Sequence, residues 1–593
     1  MSEHVTHDVV IVGGGTAGAL VAKRLTHAGM RVLMLEAGPG TPADFGGYLR
    51  HLEHFHASSA KGPEAPWPPS PNAPQPDTHD VKSGDGYFVQ NGPHPHASSY
   101  TRLLGGSTLH WLGVSLRMLP EDFEMRTRHG VGRDWPLGYR DLEPYYRAAE
   151  LELGVAADVV DQAHSGVEFA PGYDYPMQRI PPSYSDQVLA RAVDGMEVAV
   201  GDERFTLKVR NYPAARNGMP RGDYEPVGAV DERREGQALG RDLGQRCQGN
   251  TACTPICPVQ AKYNAAKTIA QAQRDRLEVV TQAVVTKLHV DPTSGAVESV
   301  EYQRYDDPGS PRHTVHRVGA RAFVLAAHAV ENAKIMLASG AGGDLVGRHL
   351  MDHPCLYAWG LSPVPVGPFR GPLSTSGMDD VRSGAFRARH AAFRFDIGND
   401  GWRSATGAPE TTVAKAVAEG LRGTELRARL TDTLSRQVRM SLAVEQLPAA
   451  HNRVTIDPRY VDALGNPRPV IDYRIDEYTL GGMAAATDVA RAMFDRAGIV
   501  DCTNPEEGTW FPSVTHGERT FHYHGMGHFG GTHLMGAAPE DSVVDADQRS
   551  WDHRNLYLVG SGSCPTMGTS NPTLTLAALA LRTAAHIERE LSA

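Results

Sequence analysis

The stretch Asp8-Val-Val-Ile-Val-Gly-Gly-Gly-Thr-Ala-Gly-Ala-Leu-Val-Ala-Lys-Arg-Leu25 constrains this chain most. Asp8 to Val12 is a short β-branched run of the kind that fills a buried parallel strand. Gly13, Gly15 and Gly18 form G-x-G-x-x-G, Ala19 to His27 reads as a helix, and Arg31 to Glu36 as a second strand. In this order Gly13 makes the tight turn and Gly15 lets backbone amides approach a pyrophosphate at the helix N-terminus. Gly18 allows close helix packing, and Glu36 can hold a ribose hydroxyl pair. A lone glycine motif is weak evidence, but with strand, helix, strand and acid all present it predicts a dinucleotide site preferring a ribose without a 2′-phosphate. The loop does not distinguish NAD from FAD.

At 593 residues the chain exceeds one hydrophobic core, so two or more domains are expected, not necessarily contiguous in sequence. A net charge of −11 argues against nucleic-acid or anionic-membrane binding. The start, Met1-Ser-Glu-His-Val-Thr-His7, carries no basic n-region, and no membrane-spanning run is evident. The expectation is a cytoplasmic protein whose six cysteines form no disulfide framework.

Residues 51–94 are rich in proline and suit a surface loop or lid, or a disordered linker. Thr101 to Gly113 combines paired glycines with Ser107, His110 and Trp111, a backbone suited to lie against a flat ring system. A charged helical stretch runs from Glu121 to Leu153, with a helix at Asp141 to Glu152. Residues 155–240 show turns and no clear period. A helix from Ala265 to Arg276, strands at 277–281 and 283–290, and a buried strand at Ala322 to His328 feeding a helix at Val330 to Ser339 would complete the nucleotide-binding sheet. Alternating strands and loops dominate from about 350 to 535, with an amphipathic helix near Leu480 to Ala497. After a strand at Asn555 to Gly560, Asn571 suits a helix cap and Pro572 the first helical position. A helix so apolar all round should be buried, with its N-terminus aimed inward.

Val10 to Gly18 with Glu36, Gly105-Gly-Ser-Thr-Leu-His-Trp111, Val324 to Glu331, His528-Phe-Gly-Gly-Thr-His-Leu-Met-Gly536 and Gly568-Thr-Ser-Asn-Pro-Thr-Leu574 together resemble the glucose-methanol-choline (GMC) flavoprotein oxidoreductases. The last two motifs look most like those of pyranose oxidases and glycoside 3-oxidase-like members. The resemblance implies an α/β fold: a Rossmann-type FAD-binding domain from 1–50, 95–154, 241–350 and 537–593, and a second α+β substrate domain on a largely antiparallel sheet from 155–240 and 351–536. It implies FAD contacts at Gly13, Gly15, Thr16, Ala17, Gly18, Glu36, Ala37, Gly106, Ser107, His110, Trp111, Val284, Ala327, Gly560, Ser561, Pro572 and Thr573. His528 and Asn571 are implied as the catalytic pair, with His533 beside them on the substrate. His110 stands where some members tether FAD covalently. Removing a hydride from an alcohol builds carbonyl character, which calls for a base titrating near neutrality and a neutral hydrogen-bond donor, roles that His and an amide fill. Amides at Thr573 and Leu574 would stabilise charge on reduced flavin. Taken alone, any one of His522, His524, His528 and His533 reads as a core histidine; motif spacing selects His528.

Cys247, Cys253 and Cys257, followed by Pro258, resemble the stretch that holds a three-iron iron–sulfur cluster in FAD-dependent glucose dehydrogenase subunits. Thiolate zinc lacks an evident fourth ligand, and a metal-free cysteine loop is an equal alternative. The implied function is oxidation of a secondary ring hydroxyl of a pyranose or glycoside, at C2 or C3, with oxygen or a quinone as acceptor. A cluster would instead make the chain a sugar dehydrogenase subunit with an electron-accepting protein partner. A flavoprotein that binds FAD without turnover is an alternative of another class.

Overall fold

A computed structural model describes residues 7–40, 87–98, 100–225, 246, 247, 249, 253, 257, 259–306, 310–504 and 511–592. The opening β-branched run forms the strand His7–Val12, with Val9, Val10 and Ile11 fully inaccessible to water. Burying each such side chain contributes about 1.5–3 kcal/mol, which fixes this strand at the centre of a sheet. It pairs in parallel with Val32–Leu35 on one side and Thr314–Leu325 on the other. Leu277–Val280 extends the first edge in parallel, and Leu556–Leu558 pairs in parallel with Thr314–Leu325. The long strand Thr314–Leu325 also carries an antiparallel meander of Val297–Arg304 and Ala283–Val290. The nucleotide-binding sheet thus assembles from segments more than 500 residues apart, as the strand order anticipates.

Helix Thr16–His27 returns across this sheet and packs against the C-terminal helix Pro572–Ser592, which also meets Tyr139–Leu153. The C-terminal helix buries Leu574, Ala577, Leu579, Ala580, Ala584 and Ile587, the inward burial its apolar sequence demands. No described helix is long and apolar enough to cross a membrane.

A second sheet is antiparallel throughout: Val500–Asp501, Pro354–Leu361, Gln437–Val444, Phe393–Gly398, Ser376–Met378 and Arg210–Asn211, with His524–Gly525 added beside Pro354 and Cys355. Helix Glu477–Ala497 packs on it through Leu480, Met483, Ala486, Val489, Ala490 and Phe494. The fold is α/β, a Rossmann-type nucleotide-binding sheet joined to a largely antiparallel one.

Several expectations need correction. Residues 155–225 are not featureless: they hold a helix at Tyr184–Val193, a hairpin of Glu197–Val200 with Glu203–Thr206, and two-residue strands. The charged stretch after Glu121 is helical in separate pieces, as expected: Gly130 adopts a left-handed φ of 73° and ends Met125–His129 before Tyr139–Leu153 begins. The helix from Ala265 stops at Gln271, since Ala272 is extended. Of the proline-rich loop, 51–86 lies outside the described residues, and Val89–Gln90 forms a strand parallel to Pro467–Asp472.

Candidate functional site

The glycine turn, both sheets and the C-terminal helix meet around a cavity of about 510 Å³. Gly13 has φ +101°, and a Cβ there would lie 2.5 Å from the Ala326 carbonyl oxygen. A Cβ on Gly18 would lie 2.0 Å from the Gly13 carbonyl oxygen, so close packing requires glycine at both positions. Gly15 differs: nothing lies within 4 Å of where its Cβ would be, and it lines the cavity. It also caps helix Thr16–His27 without any side-chain hydrogen bond, leaving the first-turn amides open to an anion. Glu36 is buried at the end of the adjoining strand, accepting from the Gly14 and Gly38 amides at 2.7 Å each. Burial pushes its carboxyl up, against these hydrogen bonds.

This donor set fits a dinucleotide. Gly13, Gly15, Thr16, Ala17, Glu36 and Ala37 line one end; Gly106, Ser107, His110, Trp111, Val284 and Ala327 the wall; Gly560, Ser561, Asn571, Pro572 and Thr573 the far side. Gly18 stands behind the turn as a packing residue rather than on the lining. Replacing Gly15 with Ala is expected to lower cofactor content severalfold while leaving the melting temperature of the stripped chain unchanged. Gly13→Ala is expected to cost at least about 2 kcal/mol of fold stability, because a left-handed backbone and a clash coincide. Cofactor absorbance per chain and thermal melts check both.

At the far side His528 Nε2 lies 3.1 Å from Asn571 Nδ2, joining residues 43 positions apart. The surrounding bonds assign the protons. His353 Nε2 lies 2.8 Å from the Gly568 carbonyl, which can only accept, so that nitrogen carries the hydrogen. Its neutral Nδ1 then accepts from His528 Nδ1–H at 2.8 Å, which leaves His528 Nε2 unprotonated, an acceptor for Asn571 Nδ2–H at the cavity wall. Arg394 Nη2 donates to Asn571 Oδ1 at 2.8 Å, so the Asn571 NH₂ must face His528. Asp352 accepts from the His528 amide at 3.0 Å and the Met526 amide at 3.3 Å, holding the loop that carries the histidine.

The expectation that His528 titrates near neutrality does not hold. Burial, then His353, Arg394 and His524, keep its pKa well below the usual histidine value. His533 is not brought to the cavity. It is fully buried with Nε2 3.2 Å from Asn332 Nδ2 and its ring against Gly562, too close for a Cβ there.

Other cavity residues come from the antiparallel sheet and went unseen in the sequence. In register, Asp396 opposes Ser441, which opposes Tyr357, and Gly398 opposes Arg439. All but Gly398 line the cavity, and Gly398 leaves room for the Arg439 guanidinium. Arg439 pairs with Asp400 at 2.8 Å and donates to Ser441 Oγ at 2.6 Å. The signal was present: Phe393-Arg-Phe-Asp-Ile-Gly398 and Gln437-Val-Arg-Met-Ser441 place polar side chains at alternate positions of otherwise apolar strands, the period of a strand face turned to a polar site.

Cys253 and Cys257 are buried and Cys247 half-buried, all as free thiols. Burial pushes the Cys247 thiol up. Lys262, held down to about 8 by burial, donates to the carbonyls of Cys253 and Trp111, so this stretch abuts the cavity wall. Among the described residues no group of three His, Cys, Asp or Glu side chains forms a metal-holding cluster.

Residues 226–355 and 448–580 match the N- and C-terminal family models of the GMC oxidoreductases, and residues 8–51 match a lycopene cyclase protein model. The fructose dehydrogenase large subunit of Gluconobacter japonicus is 30% identical, over 100% of this chain and 99% of the relative. Paromamine 6′-oxidase of Streptomyces fradiae is 28% identical over 98% of this chain and 92% of the relative. A C-glycoside 3-oxidase of Arthrobacter globiformis is 23% identical over 99% and 95%. Among solved structures, pyridoxine 4-oxidase from Mesorbium loti superposes with a TM-score of 0.60 at 18% identity, covering 98% of this chain and 99% of that one. With both family models matched and an end-to-end relative at 30% identity, the chain belongs to the GMC oxidoreductases, enzymes that act on CH–OH donors.

Proposed function

We propose that the chain is an FAD-dependent oxidoreductase that converts a secondary ring hydroxyl of a pyranose or glycoside, at C2 or C3, to a ketone, with oxygen or a quinone as acceptor. The observation that carries this reading is the unprotonated Nε2 of His528, paired with the Asn571 amide at the cavity, a pair that a substrate hydroxyl can enter and replace. A substrate hydroxyl entering between them donates its proton to Nε2 and accepts from Nδ2–H. His528 then takes that proton as the carbon loses its hydride. FAD, when bound, supplies the N5 acceptor for the hydride. Gly13, Gly15, Thr16, Ala17 and Glu36 would hold its pyrophosphate and ribose; His110, Trp111, Ala327, Gly560 and Ser561 would line it; and the amides at Thr573 and Leu574 would face negative charge on it. Relatives named for fructose, paromamine and C-glycosides support a sugar-like donor, as does the polar sheet face of Asp396, Arg439 and Ser441.

A second reading, a dehydrogenase subunit passing electrons through an iron–sulfur cluster to a protein partner, is favoured by the end-to-end likeness to a protein named as a large subunit and by Cys247, Cys253 and Cys257.

One experiment separates the readings: anaerobic absorption spectra before and after adding a panel of monosaccharides and glycosides, then after readmitting air, with iron assayed on the same sample. A flavin band that bleaches with sugar, recovers quickly in air and comes with no iron is the expected result. Stoichiometric iron with slow recovery would install the second reading. No bleaching by any sugar would sink both.

A further inference from the structure

One carboxylate in the cavity has no part in the proton chemistry. Asp396 is 8% exposed, lies on the sheet face turned to the cavity, and lines it. Arg394 Nη1 donates to its Oδ1, while Nη2 of the same guanidinium donates to Asn571 Oδ1 at 2.8 Å. Arg394 Nε is fixed in turn by the Thr569 carbonyl at 2.8 Å. One rigid fork therefore sets the orientation of the amide beside the reacting oxygen and of a carboxylate farther along the cavity. The hydrogen bond from Arg394 goes to Oδ1, and the residue, with its other oxygen, lines the cavity.

We propose that Asp396 Oδ2 accepts a hydrogen bond from a second hydroxyl of the substrate and so decides which ring carbon faces His528. The inference rests on the sugar-oxidoreductase reading and narrows it to polyhydroxylated rings. A buried acceptor of this kind selects by what it is denied: a ring lacking the matching hydroxyl leaves a desolvated carboxylate oxygen unpaired. A neutral hydroxyl suits the site better than an ammonium, because Arg394 already neutralises the carboxylate and Arg439 adds a second positive charge nearby. Ser441 stands directly across from Asp396, with Oγ accepting from Arg439, so its own hydroxyl proton remains for a substrate oxygen. The chain thus presents an acceptor and a donor side by side, matched to neighbouring ring hydroxyls.

The test couples a deoxy-sugar series to Asp396→Asn. Binding is measured by calorimetry in the His528→Ala background, where chemistry is too slow to interfere, and kcat/KM is measured in the otherwise native enzyme. In the native enzyme one monodeoxy analogue, missing a hydroxyl other than the reacting one, is expected to lose about 10- to 100-fold in both. In Asp396→Asn the parent sugar should fall toward that analogue, and the analogue's own penalty should shrink to within about threefold. A change acting only through Asn571 would instead lower parent and analogue by equal factors, which overturns the proposal. Should Asp396→Asn not fold, Asp396→Glu keeps the Arg394 pair and displaces the free oxygen by one methylene. It must then change which deoxy analogue is penalised; an unchanged pattern overturns the proposal. A native flavin that sugars bleach without any deoxy penalty removes the anchor and leaves the redox reading standing, whereas a flavin that no sugar bleaches removes both.

Discussion

His528→Ala is expected to slow anaerobic bleaching of bound FAD by sugar about 10²- to 10⁴-fold, the range that a positioned general base contributes, with cofactor content and melting temperature little changed. The effect is large because none of the groups hydrogen-bonded around His528 can take the proton in its place. The neighbouring amide is a donor, Arg394 is cationic, and His353 is committed to the Gly568 carbonyl. His353 gives the sharper control. As a positioning residue it accepts the His528 Nδ1 hydrogen and thereby keeps Nε2 unprotonated. In His353→Leu that N–H loses its acceptor in a buried place, a penalty of about 1–3 kcal/mol that favours the other tautomer, with Nε2 protonated and unable to take a proton. Flavin reduction should slow about 10- to 100-fold at unchanged sugar affinity. His353→Asn places Oδ1 where the ring Nδ1 stood and should restore most of the rate. A rate indifferent to His353→Leu, or a loss that His353→Asn does not recover, would refute the proton assignment. Rapid-mixing reduction kinetics supply both constants, because the plateau gives the rate and the concentration dependence gives the affinity.

How far the chain could be read beforehand follows from where its information lies. The first strand, turn and helix are legible because each is specified within about twenty residues, and Gly18 is demanded by a contact inside that unit, although Gly13 also answers to the distant Ala326 carbonyl. The end-to-end assembly of the first sheet follows from its buried β-branched strands. Residues 155–225 are not legible, because strands such as Val155–Ala156 and Ala214–Ala215 have two residues each and exist through pairing with distant segments rather than through any local period. The site divides the same way. His528 and Asn571 stand in sequence motifs and do meet. His533 shares the motif of His528, but five residues later the chain has turned behind the wall, and sequence proximity misleads there. His353, Arg394 and Asp396 carry no motif that could be read in isolation; what selects them is the register of an antiparallel sheet and one backbone carbonyl, neither visible before folding. The expected near-neutral base failed for a related reason, since desolvation depends on everything packed around a group.

That desolvation has a consequence for the whole fold: stability should fall steeply as the pH drops from 7 to 5, on the order of 5 kcal/mol per pH unit near the lower end. Burial is the leading cause for each of nine histidines, His94 and His129 among them. It holds His96, His328 and His533 down to about 3 and His349, His353 and His524 down to about 4, with His528 well below its usual value. In the unfolded chain each titrates near 6.5. Below that pH the unfolded chain binds protons that the fold refuses, each worth about 1.4 kcal/mol per pH unit once fully engaged, and mass action favours unfolding. Asp352 works the other way. Burial raises its carboxyl to about 6, so below that pH the fold binds a proton the unfolded chain does not, and one histidine's loss is cancelled. Glu36, Asp186, Asp380 and Asp396 are also raised by burial and oppose the loss further as the pH nears the carboxylate range. Histidines therefore dominate between pH 6.5 and 5, within reach of the 5–15 kcal/mol that holds an ordinary domain folded. His96 isolates the cause. Neither ring nitrogen has a hydrogen-bond partner, the ring lies 4.8 Å from those of both Tyr473 and Phe529, and its charged neighbour is the Asp352 carboxyl, 3.7 Å from Nε2, so burial holds it neutral against that carboxyl. His96→Leu should be close to neutral at pH 7 and should flatten the stability slope by about 1.4 kcal/mol per pH unit. Denaturant unfolding at pH 7, 6 and 5 measures both slopes, and a native stability that stays level across that range would show that protons reach these rings without opening the fold.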